Sequence, residues 1–160
     1  AHHGHEHAQE LLKIFDDYLN DKSVSHDTIT RESVVILLGR LASYLPVGDP
    51  RTNNVVSILI DSLSTPSMRV RKTCSECLTT LMGSLKPQAP ELVQRMFDAI
   101  ENGPIEKAIG GAFGLAGILK GLGLGALKTY DVIPKLKVIV SSKKSTCKVA
   151  ALRCFGCLSE

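Results

Sequence analysis

Leu38-Gly-Arg-Leu41 is the first of four apolar segments that recur along this chain at nearly equal spacing. Successive segments begin 40, 37 and 40 residues apart, and each lies late in a stretch with the 3.6-residue apolar period of a helix. The other three are Leu78-Thr-Thr-Leu81, Leu115-Ala-Gly-Ile118 and Phe155-Gly-Cys-Leu158. A second apolar series alternates with the first, at residues 12–19, 56–63, 93–100 and 133–140. The pattern predicts two helices in each unit of about 40 residues.

Two helices that repeat at this period are typical of a HEAT-type array, in which every helix pair stacks on the next. We therefore expect an all-α, right-handed solenoid of about four antiparallel helix pairs, with residues 1–160 forming one array. The approximate repeats are 8–45, 50–85, 88–122 and 127–160. Because Leu152, Phe155 and Leu158 would be only half covered at the end of such an array, we expect a fragment of a longer one.

Composition favours a folded helical domain. Of the 160 residues, 44% are hydrophobic and only 4% are aromatic, which suits the packing of helix on helix. The apolar run 108–119 stops at Lys120, well short of the roughly 20 residues that span a bilayer, so no membrane partner is expected. The five cysteines, an odd number at helical positions, predict reduced thiols in a cytoplasmic protein.

Capping residues and prolines predict where the helices begin. The first helix is expected at about 8–20, and Asp27 is the predicted N-cap of the second. Asp49-Pro50 should begin the third helix and Pro104 the sixth, because proline is favoured in the first helical turn. Asp131 should cap the seventh helix, after a glycine-rich connection at 121–125.

Two Cys-x-x-Cys pairs, Cys74-Ser-Glu-Cys77 and Cys154-Phe-Gly-Cys157, have a spacing at which thiolates can bind zinc. Cys77 and Cys154 are 77 positions apart, whereas a zinc ribbon separates its pairs by about 15–20 residues. The pairs fall on second helices two repeats apart, too distant to share an ion. We predict that they are small core residues, since a buried free Cys behaves as a small hydrophobe.

The glycines of residues 110–126 allow two interpretations. Gly121-x-Gly123-x-x-Ala126 loosely matches a dinucleotide fingerprint, but a helix precedes it instead of a strand, so an inter-repeat turn is predicted. Four glycines inside the sixth helix each lower its intrinsic stability by up to about 1 kcal/mol relative to Ala. These are Gly110, Gly111, Gly114 and Gly117. Their presence predicts close approach of a neighbouring helix.

Polar clusters near the N-terminus contain residue types found in active sites. His2, His3, His5 and His7 surround Glu6, a composition found in metal sites and purification tags, and we predict a solvated end. Ser25-His26-Asp27 has the residue types of a catalytic triad, but adjacent positions cannot converge, so a loop and a cap are predicted. We expect no catalytic residue, no metal, no cofactor and no small-molecule substrate.

Arg31, Arg71 and Lys148 occupy equivalent positions near the starts of three second helices. They could form a row of cations that faces phosphate groups. They could also form a ladder that ties the turns within repeats together by hydrogen bonds to carbonyls or carboxylates. The ladder is the favoured hypothesis.

Basic residues are concentrated toward the C-terminus, where residues 101–160 contain nine basic and four acidic side chains, against four and seven in residues 1–40. Such a surface can bind nucleic-acid phosphates by releasing counterions. No aromatic residues alternate with these cations, so recognition of bases is not predicted. The candidate ribosome or RNA contacts are Lys72, Lys107, Lys120, Lys143, Lys144, Lys148 and Arg153, with Lys135 and Lys137 adding to the same charge.

Three stretches carry a more specific resemblance: 33–45, 63–70 and, above all, Gly111-Ala-Phe-Gly-Leu-Ala-Gly-Ile-Leu-Lys-Gly-Leu-Gly123. From about residue 4 to residue 158, the chain resembles the general control nonderepressible one family of giant HEAT-repeat translational activators. It is similar to their central part, near the region related to fungal elongation factor three. It departs from the family pattern at Ile105-Glu-Lys-Ala108 and before Ala150, where more basic residues or arginines are expected.

The resemblance implies a non-enzymatic scaffold. Proteins of this family bind ribosomes and help to activate the kinase of the initiation factor two alpha subunit under amino-acid starvation or ribosome stalling. The implied partners are the ribosome, through rRNA or ribosomal proteins, and that kinase, through other regions of the full-length protein.

The same architecture allows an importin-like transport receptor or a phosphatase scaffold. A HEAT-repeat hydroxylase would bind iron through His-Glu pairs from several repeats, and only His5-Glu6 is present.

Overall fold

The computed structural model describes residues 3–21 and 28–159, with side chains from residue 7 onward. Within these ranges the regular structure consists of nine α-helices and one short 3-10 helix, and no strand is present. The helices are α1 His3–Asn20, α2 Thr28–Ala42, α3 Arg51–Ser62, α4 Met68–Leu85, α5 Ala89–Asn102, α6 Ile105–Leu122, α7 Gly125–Thr129, α8 Val132–Val140 and α9 Ser145–Ser159. The 3-10 helix Lys86–Gln88 joins α4 to α5.

Four helix pairs follow one another along the chain: α1 with α2, α3 with α4, α5 with α6, and α8 with α9. Every extensive contact among the described helices lies within a pair or between neighbouring pairs. The second helices α2, α4, α6 and α9 form a continuous layer, and the most extensive contacts join α4 to α6 and α6 to α9. The predicted all-α, HEAT-type solenoid is confirmed.

The core runs along the array as one continuous cluster. Leu38, Leu78 and Leu115, which begin the first three recurring segments, are almost completely buried, while Phe155 is partly buried against the same cluster. The sequence period therefore marks the residues that join one pair to the next.

Helix α6 lies at the centre of the second-helix layer, and its glycines allow the approach of its neighbours. A Cβ at Gly110 or Gly117 would overlap the backbone carbonyl oxygen of Leu63 or Ser75, and a Cβ at Gly111 would lie 3.0 Å from the carbonyl oxygen of Met96. Carbonyl oxygens cannot move aside as a flexible side chain can. The prediction of close approach at these glycines is confirmed.

Two hydroxyl groups of α4 fasten it to α6. Ser75 Oγ donates to the carbonyl oxygen of Phe113, and Thr79 Oγ1 donates to that of Gly117, each at 2.8 Å. These bonds are possible because the glycines of α6 expose its backbone to α4.

The predicted helix starts are correct to within a residue or two at most places. The third helix begins at Arg51 with Pro50 at the N-cap position, one residue later than predicted, although the carboxylate of Asp49 still accepts the backbone N–H of Arg51 at 2.9 Å. The first helix begins at His3, five residues before the predicted start. Asp27 lies outside the described residues.

The connection between α6 and α8 differs from the prediction. Helix α6 ends at Leu122, as predicted, and Gly123 follows with φ +87°, but the short helix α7 then forms where only a turn was expected. Asp131 lies at the N-cap position of α8 but makes no capping bond. Its backbone is left-handed, with φ 50°, whereas a capping side chain needs the extended conformation typical of an N-cap.

Candidate functional site

All seven predicted contact residues are exposed, and none forms an ion pair with another described residue. They do not form one patch. The structure places them in four locations, which differ in their neighbours and in their local charge.

Lys143, Lys144 and Lys148 form a group that we call the α9 basic edge. Lys143 and Lys144 lie in the turn between α8 and α9, and Lys148 lies in the first turn of α9. The two turn lysines border a shallow depression of about 330 Å³, together with Glu101 at the end of α5. Three cations within six residues, beside one carboxylate, make this edge locally basic.

Lys72 of α4 and Arg153 of α9 are brought together across α6, although they are far apart in sequence. Both line a groove of about 470 Å³ whose other lining residues include Phe113 and Leu152. None of the residues that line this groove is acidic.

Lys107 and Lys120 lie near opposite ends of α6, and 13 residues of helix separate them by roughly 20 Å. Lys107 borders a cavity of about 380 Å³ between α3 and α5, where Arg95 lies 3.5 Å from Asp61. That cavity has mixed charge. Lys120 borders a small depression that is otherwise lined by glycine and leucines, among them Leu124.

Arg71 fulfils the ladder hypothesis. It is only 4% exposed, its Nε donates to the carbonyl oxygen of Leu63 at 3.2 Å, and its Nη2 pairs with Glu106 of the next repeat. Arg31 and Lys148 are exposed and make no side-chain hydrogen bond or ion pair with a described residue. The ladder is confirmed at Arg71 alone.

Sequence reasoning missed the polar bonds between repeats. Arg40 pairs with Glu76 at 2.9 Å, and the two residues are 36 positions apart. Gln88 Nε2 donates to Asn53 Oδ1 at 2.9 Å across 35 positions. A search for complementary polar residues about one repeat apart would have found these candidates.

The cysteines are core residues, as predicted. All five are buried, and none of them forms a disulfide. Burial raises the pKa of Cys74 and of Cys154 to about 12, with a smaller contribution from Cys77 and Cys157 respectively. Burial likewise raises the pKa of Cys77. A thiol that stays protonated is a poor nucleophile and a poor metal ligand.

Only part of the N-terminal polar clusters, residues 2–7 and 25–27, lies within the described residues. His7 lies 3.7 Å from Glu10, and both side chains are exposed. The side chains of His2, His3, His5 and Glu6, and the segment Ser25-His26-Asp27, lie outside the described residues. Among the side chains that are described, no three His, Cys, Asp or Glu residues converge on a possible metal site.

None of the helices in the described ranges combines the length and the hydrophobicity needed to cross a membrane.

Comparison with known proteins agrees with the repeat architecture. A sequence model of the family described as "Stalled ribosome sensor GCN1, HEAT repeats" matches residues 1–43. The chain is 36% identical to "Protein ILITYHIA" of Arabidopsis thaliana over 99% of its own length and 6% of that protein. It is 36% identical to "Stalled ribosome sensor GCN1" of Homo sapiens over 89% of its own length and 5% of that protein.

The similarity extends to fungi, with 30% identity to "eIF-2-alpha kinase activator GCN1" of Saccharomyces cerevisiae over 99% of the chain and 6% of that relative. The chain therefore spans only about one twentieth of the length of these relatives. No solved structure gave a significant match. The helix pairs and the similarity along nearly the whole chain together show that it belongs to the GCN1 family of HEAT-repeat proteins.

Proposed function

We propose that the chain is a non-enzymatic scaffold segment of a ribosome-binding translational activator. The full-length protein would promote phosphorylation of initiation factor two alpha by its kinase during amino-acid starvation or ribosome stalling. The observation that carries this proposal is 30–36% identity, along 89–99% of the chain, to proteins named as a stalled ribosome sensor and as a kinase activator. In this proposal the kinase binds through other regions, and the protein acts in the cytoplasm.

The packing of the helix pairs supports a scaffolding role. Arg71 joins α4 to the end of α3 and to the start of α6, and Ser75 and Thr79 bond α4 to the backbone of α6. These bonds connect successive repeats, so the whole of residues 1–160 would act as one array of four repeats. An array of this kind offers an extended surface on which a partner can bind.

The α9 basic edge is the part of the chain that we propose as the ribosome contact. Its three cations are exposed, and Glu101 is the acidic residue that borders the same depression. A basic surface of this kind binds rRNA phosphates by counterion release, without recognising bases. Lys72, Lys107, Lys120 and Arg153 would contribute less, because they lie in separate places.

Co-sedimentation with ribosomes over a series of salt concentrations tests this assignment. The triple variant Lys143→Glu, Lys144→Glu, Lys148→Glu should bind more weakly. The slope of log affinity against log salt is negative, and it should become less steep by about 2. The reason is that each lost phosphate contact contributes roughly 0.7–0.9 to its magnitude.

The matched control is Lys13→Glu, Lys86→Glu, Lys128→Glu, which makes the same charge change at exposed lysines on other parts of the chain. It should lower the affinity slightly and leave the slope close to that of the unaltered chain. If both triple variants lose affinity and slope equally, the α9 basic edge is not the contact. If the unaltered chain does not sediment with ribosomes at any salt concentration, the segment has no ribosome contact of its own.

A further inference from the structure

The depression beside the α9 basic edge lies between two repeats, on the side of α8 and α9 that faces α5. Its lining residues come from the end of α5, from α8, from the turn after α8 and from the first turn of α9. Cys147 Sγ donates to the carbonyl oxygen of Glu101 at 3.3 Å, which holds the end of α5 against the start of α9. A repeat in a solenoid contacts only its neighbours, so a further repeat would pack on the far side of α8 and α9 and leave this depression open.

Three polar side chains line the depression beside the lysines. We call them the polar rim: Glu101 and Asn102 at the end of α5, and Ser142 in the turn between α8 and α9. The Ser142 hydroxyl oxygen accepts the backbone N–H of Lys144 at 3.2 Å, and its hydrogen remains able to donate. Within the described residues, the Glu101 carboxylate and the Asn102 amide form no hydrogen bond or ion pair, although Lys143 and Lys144 border the same depression.

The position of Glu101 distinguishes this surface from a plain phosphate site. A carboxylate repels a phosphate group, so binding of phosphate alone gives it no role. RNA offers a second group, because a 2′-hydroxyl accompanies each phosphate along the backbone and can donate a hydrogen bond. A carboxylate is a strong acceptor for such a donor. The lysines and the polar rim together therefore complement the two groups that alternate along RNA.

The absence of exposed rings favours a duplex over a single strand. Single-stranded RNA binds mainly by stacking its bases on exposed aromatic side chains. None of the residues that line the depression is aromatic. Phe97 of α5 is only 3% exposed, and Lys135 Nζ lies 5.1 Å from the centre of its ring. An A-form duplex presents phosphates and 2′-hydroxyls together along its shallow minor groove, with no need to unstack a base.

We propose that the α9 basic edge and the polar rim bind the backbone of double-stranded RNA and distinguish it from DNA. The three lysines pair with phosphates, Glu101 accepts a hydrogen bond from a 2′-hydroxyl, and Asn102 and Ser142 bond to an adjacent ribose. The inference rests on the proposed ribosome contact. It adds that the bound part of the ribosome is a helical segment of rRNA, recognised through ribose and phosphate.

An acidic segment of a ribosomal protein is the alternative occupant. Its carboxylates would pair with the lysines, but a carboxylate is only an acceptor and would repel Glu101. The charges of the depression therefore fit RNA better than an acidic peptide.

The test is fluorescence anisotropy of the chain at low salt with labelled duplexes of one sequence. The first is an RNA duplex of about 16 base pairs, the length that a double-stranded RNA-binding domain spans. The second is its 2′-O-methyl form, which stays A-form and lacks the hydroxyl donor, and the third is the DNA duplex. The RNA duplex should bind roughly fivefold more tightly than the other two, the effect of one or two hydrogen bonds.

Substitution of Glu101 gives a result that a merely electrostatic role would not. In Glu101→Ala the loss of a negative charge should strengthen binding of every duplex, and the loss of the acceptor should reduce the preference for RNA over DNA to within about twofold. Asn102→Ala should lower the same preference by a smaller factor. Circular dichroism melts should show folded variants, because Cys147 bonds to the backbone carbonyl of residue 101 and both substituted side chains are exposed.

The matched control is Asp98→Ala. It removes an exposed carboxylate one turn earlier on α5, at a residue that borders the cavity between α3 and α5 instead. It should strengthen RNA and DNA binding by the same factor and leave the preference for RNA unchanged. If Glu101→Ala behaves in the same way as Asp98→Ala, Glu101 does not contact a ribose and the inference is wrong.

Ribosome co-sedimentation of the same proteins separates this inference from the proposed ribosome contact. If the triple variant of Lys143, Lys144 and Lys148 sediments with ribosomes as the unaltered chain does, while the preference for duplex RNA holds, the ribosome contact is wrong and the RNA site stands. If the triple variant loses ribosomes but the unaltered chain binds RNA and DNA duplexes equally, the ribosome contact stands and this inference fails.

Three further results would overturn the inference. One is that the RNA duplex and its 2′-O-methyl form bind equally well, which would mean that shape and charge are recognised without the hydroxyl. Another is that a single-stranded oligouridine with the same number of phosphates binds more tightly than the duplex. The third is that a glutamate-rich peptide binds more tightly than the RNA duplex, which would identify the depression as a protein contact.

Discussion

Single small residues decide how closely the second helices of this array approach one another. Gly110, Gly117 and Gly121 each direct the missing Cβ at a backbone carbonyl of the preceding repeat. The intrinsic cost of glycine in a helix, up to about 1 kcal/mol each, is offset by the packing that it permits.

Substitution at Gly117 tests this balance. In Gly117→Ala the added methyl group would overlap the carbonyl oxygen and the hydroxyl group of Ser75, so we expect a loss of about 1–3 kcal/mol in the free energy of unfolding. Urea denaturation would measure it. The control is Gly83→Ala in α4, where a Cβ meets no atom within 4 Å and better helix propensity should add up to about 1 kcal/mol. Equal effects of both substitutions would show that close approach at Gly117 is unimportant.

Buried thiols make stability depend on pH at the alkaline end. The thiols of Cys74 and Cys154 ordinarily have a pKa of 9.0, and burial raises it to about 12 in the folded chain. Above about pH 9 the unfolded chain therefore loses protons that the folded chain retains. Their contribution to stability is complete below pH 9.0 and is lost as the pH rises toward about 12.

We expect the free energy of unfolding to decrease as the pH rises from about 9 toward about 12, as measured by urea denaturation. The variant Cys74→Ala, Cys154→Ala should start from a lower stability, because it leaves cavities, and should decline less steeply. If the two proteins have parallel pH profiles, other groups control the alkaline loss.

Helix α6 shows how neighbouring elements determine a helix's composition. It packs against α4, α5 and α9, and apart from half-buried Ile109 every residue from Ala108 to Leu119 is buried. A helix that is apolar on all sides is buried on all sides. Its close contact with α4 also depends on polar bonds, in which α4 side chains reach the α6 backbone.

Those bonds can be removed without changing the shape of the interface. Ser75→Ala together with Thr79→Val should lower the free energy of unfolding by about 1–3 kcal/mol, since each bond contributes roughly 0.5–1.5 kcal/mol. Thr80→Val is the control, because the exposed Thr80 hydroxyl bonds only to Glu76 of its own helix, at 3.2 Å. Thermal or urea denaturation would measure both variants, and the effect of Thr80→Val on the free energy of unfolding should stay within about 0.5 kcal/mol. A neutral double variant would mean that apolar packing alone joins α4 to α6.

At the scale of the whole molecule, stability should pass from pair to pair, because the extensive contacts of each described pair are with its neighbours. Removal of α9 takes away one of the two second helices that cover α6. We therefore expect a lower melting temperature and faster amide hydrogen exchange throughout α6.

Removal of α1 is the comparison, since its extensive contacts are with α2 and not with α6. It should leave hydrogen exchange in the second half of α6 close to that of the unaltered chain. If the two deletions accelerated exchange in α6 equally, the molecule would unfold as one closed core, and the stacked-repeat description would be wrong.

Sequence alone determined the helical class, the pairing of helices, their approximate bounds and the core positions of the leucines and cysteines. These features follow from local periodicity and capping, which act over one or two helical turns. The glycines of α6 also predicted close packing, because the helix stability that they lose must be offset by the packing of a neighbouring helix.

Only the tertiary structure decided which charged residues share a surface. It joined Lys72 to Arg153 in one groove, and it buried Arg71 against Glu106 while leaving Arg31 exposed. The left-handed turn at Asp131 and the short helix α7 were likewise not evident from the sequence. The physical reason is that these features depend on lateral distances between helices of different repeats. A periodic sequence specifies which face of a helix is buried, but it does not specify which residues of another repeat pack against that face.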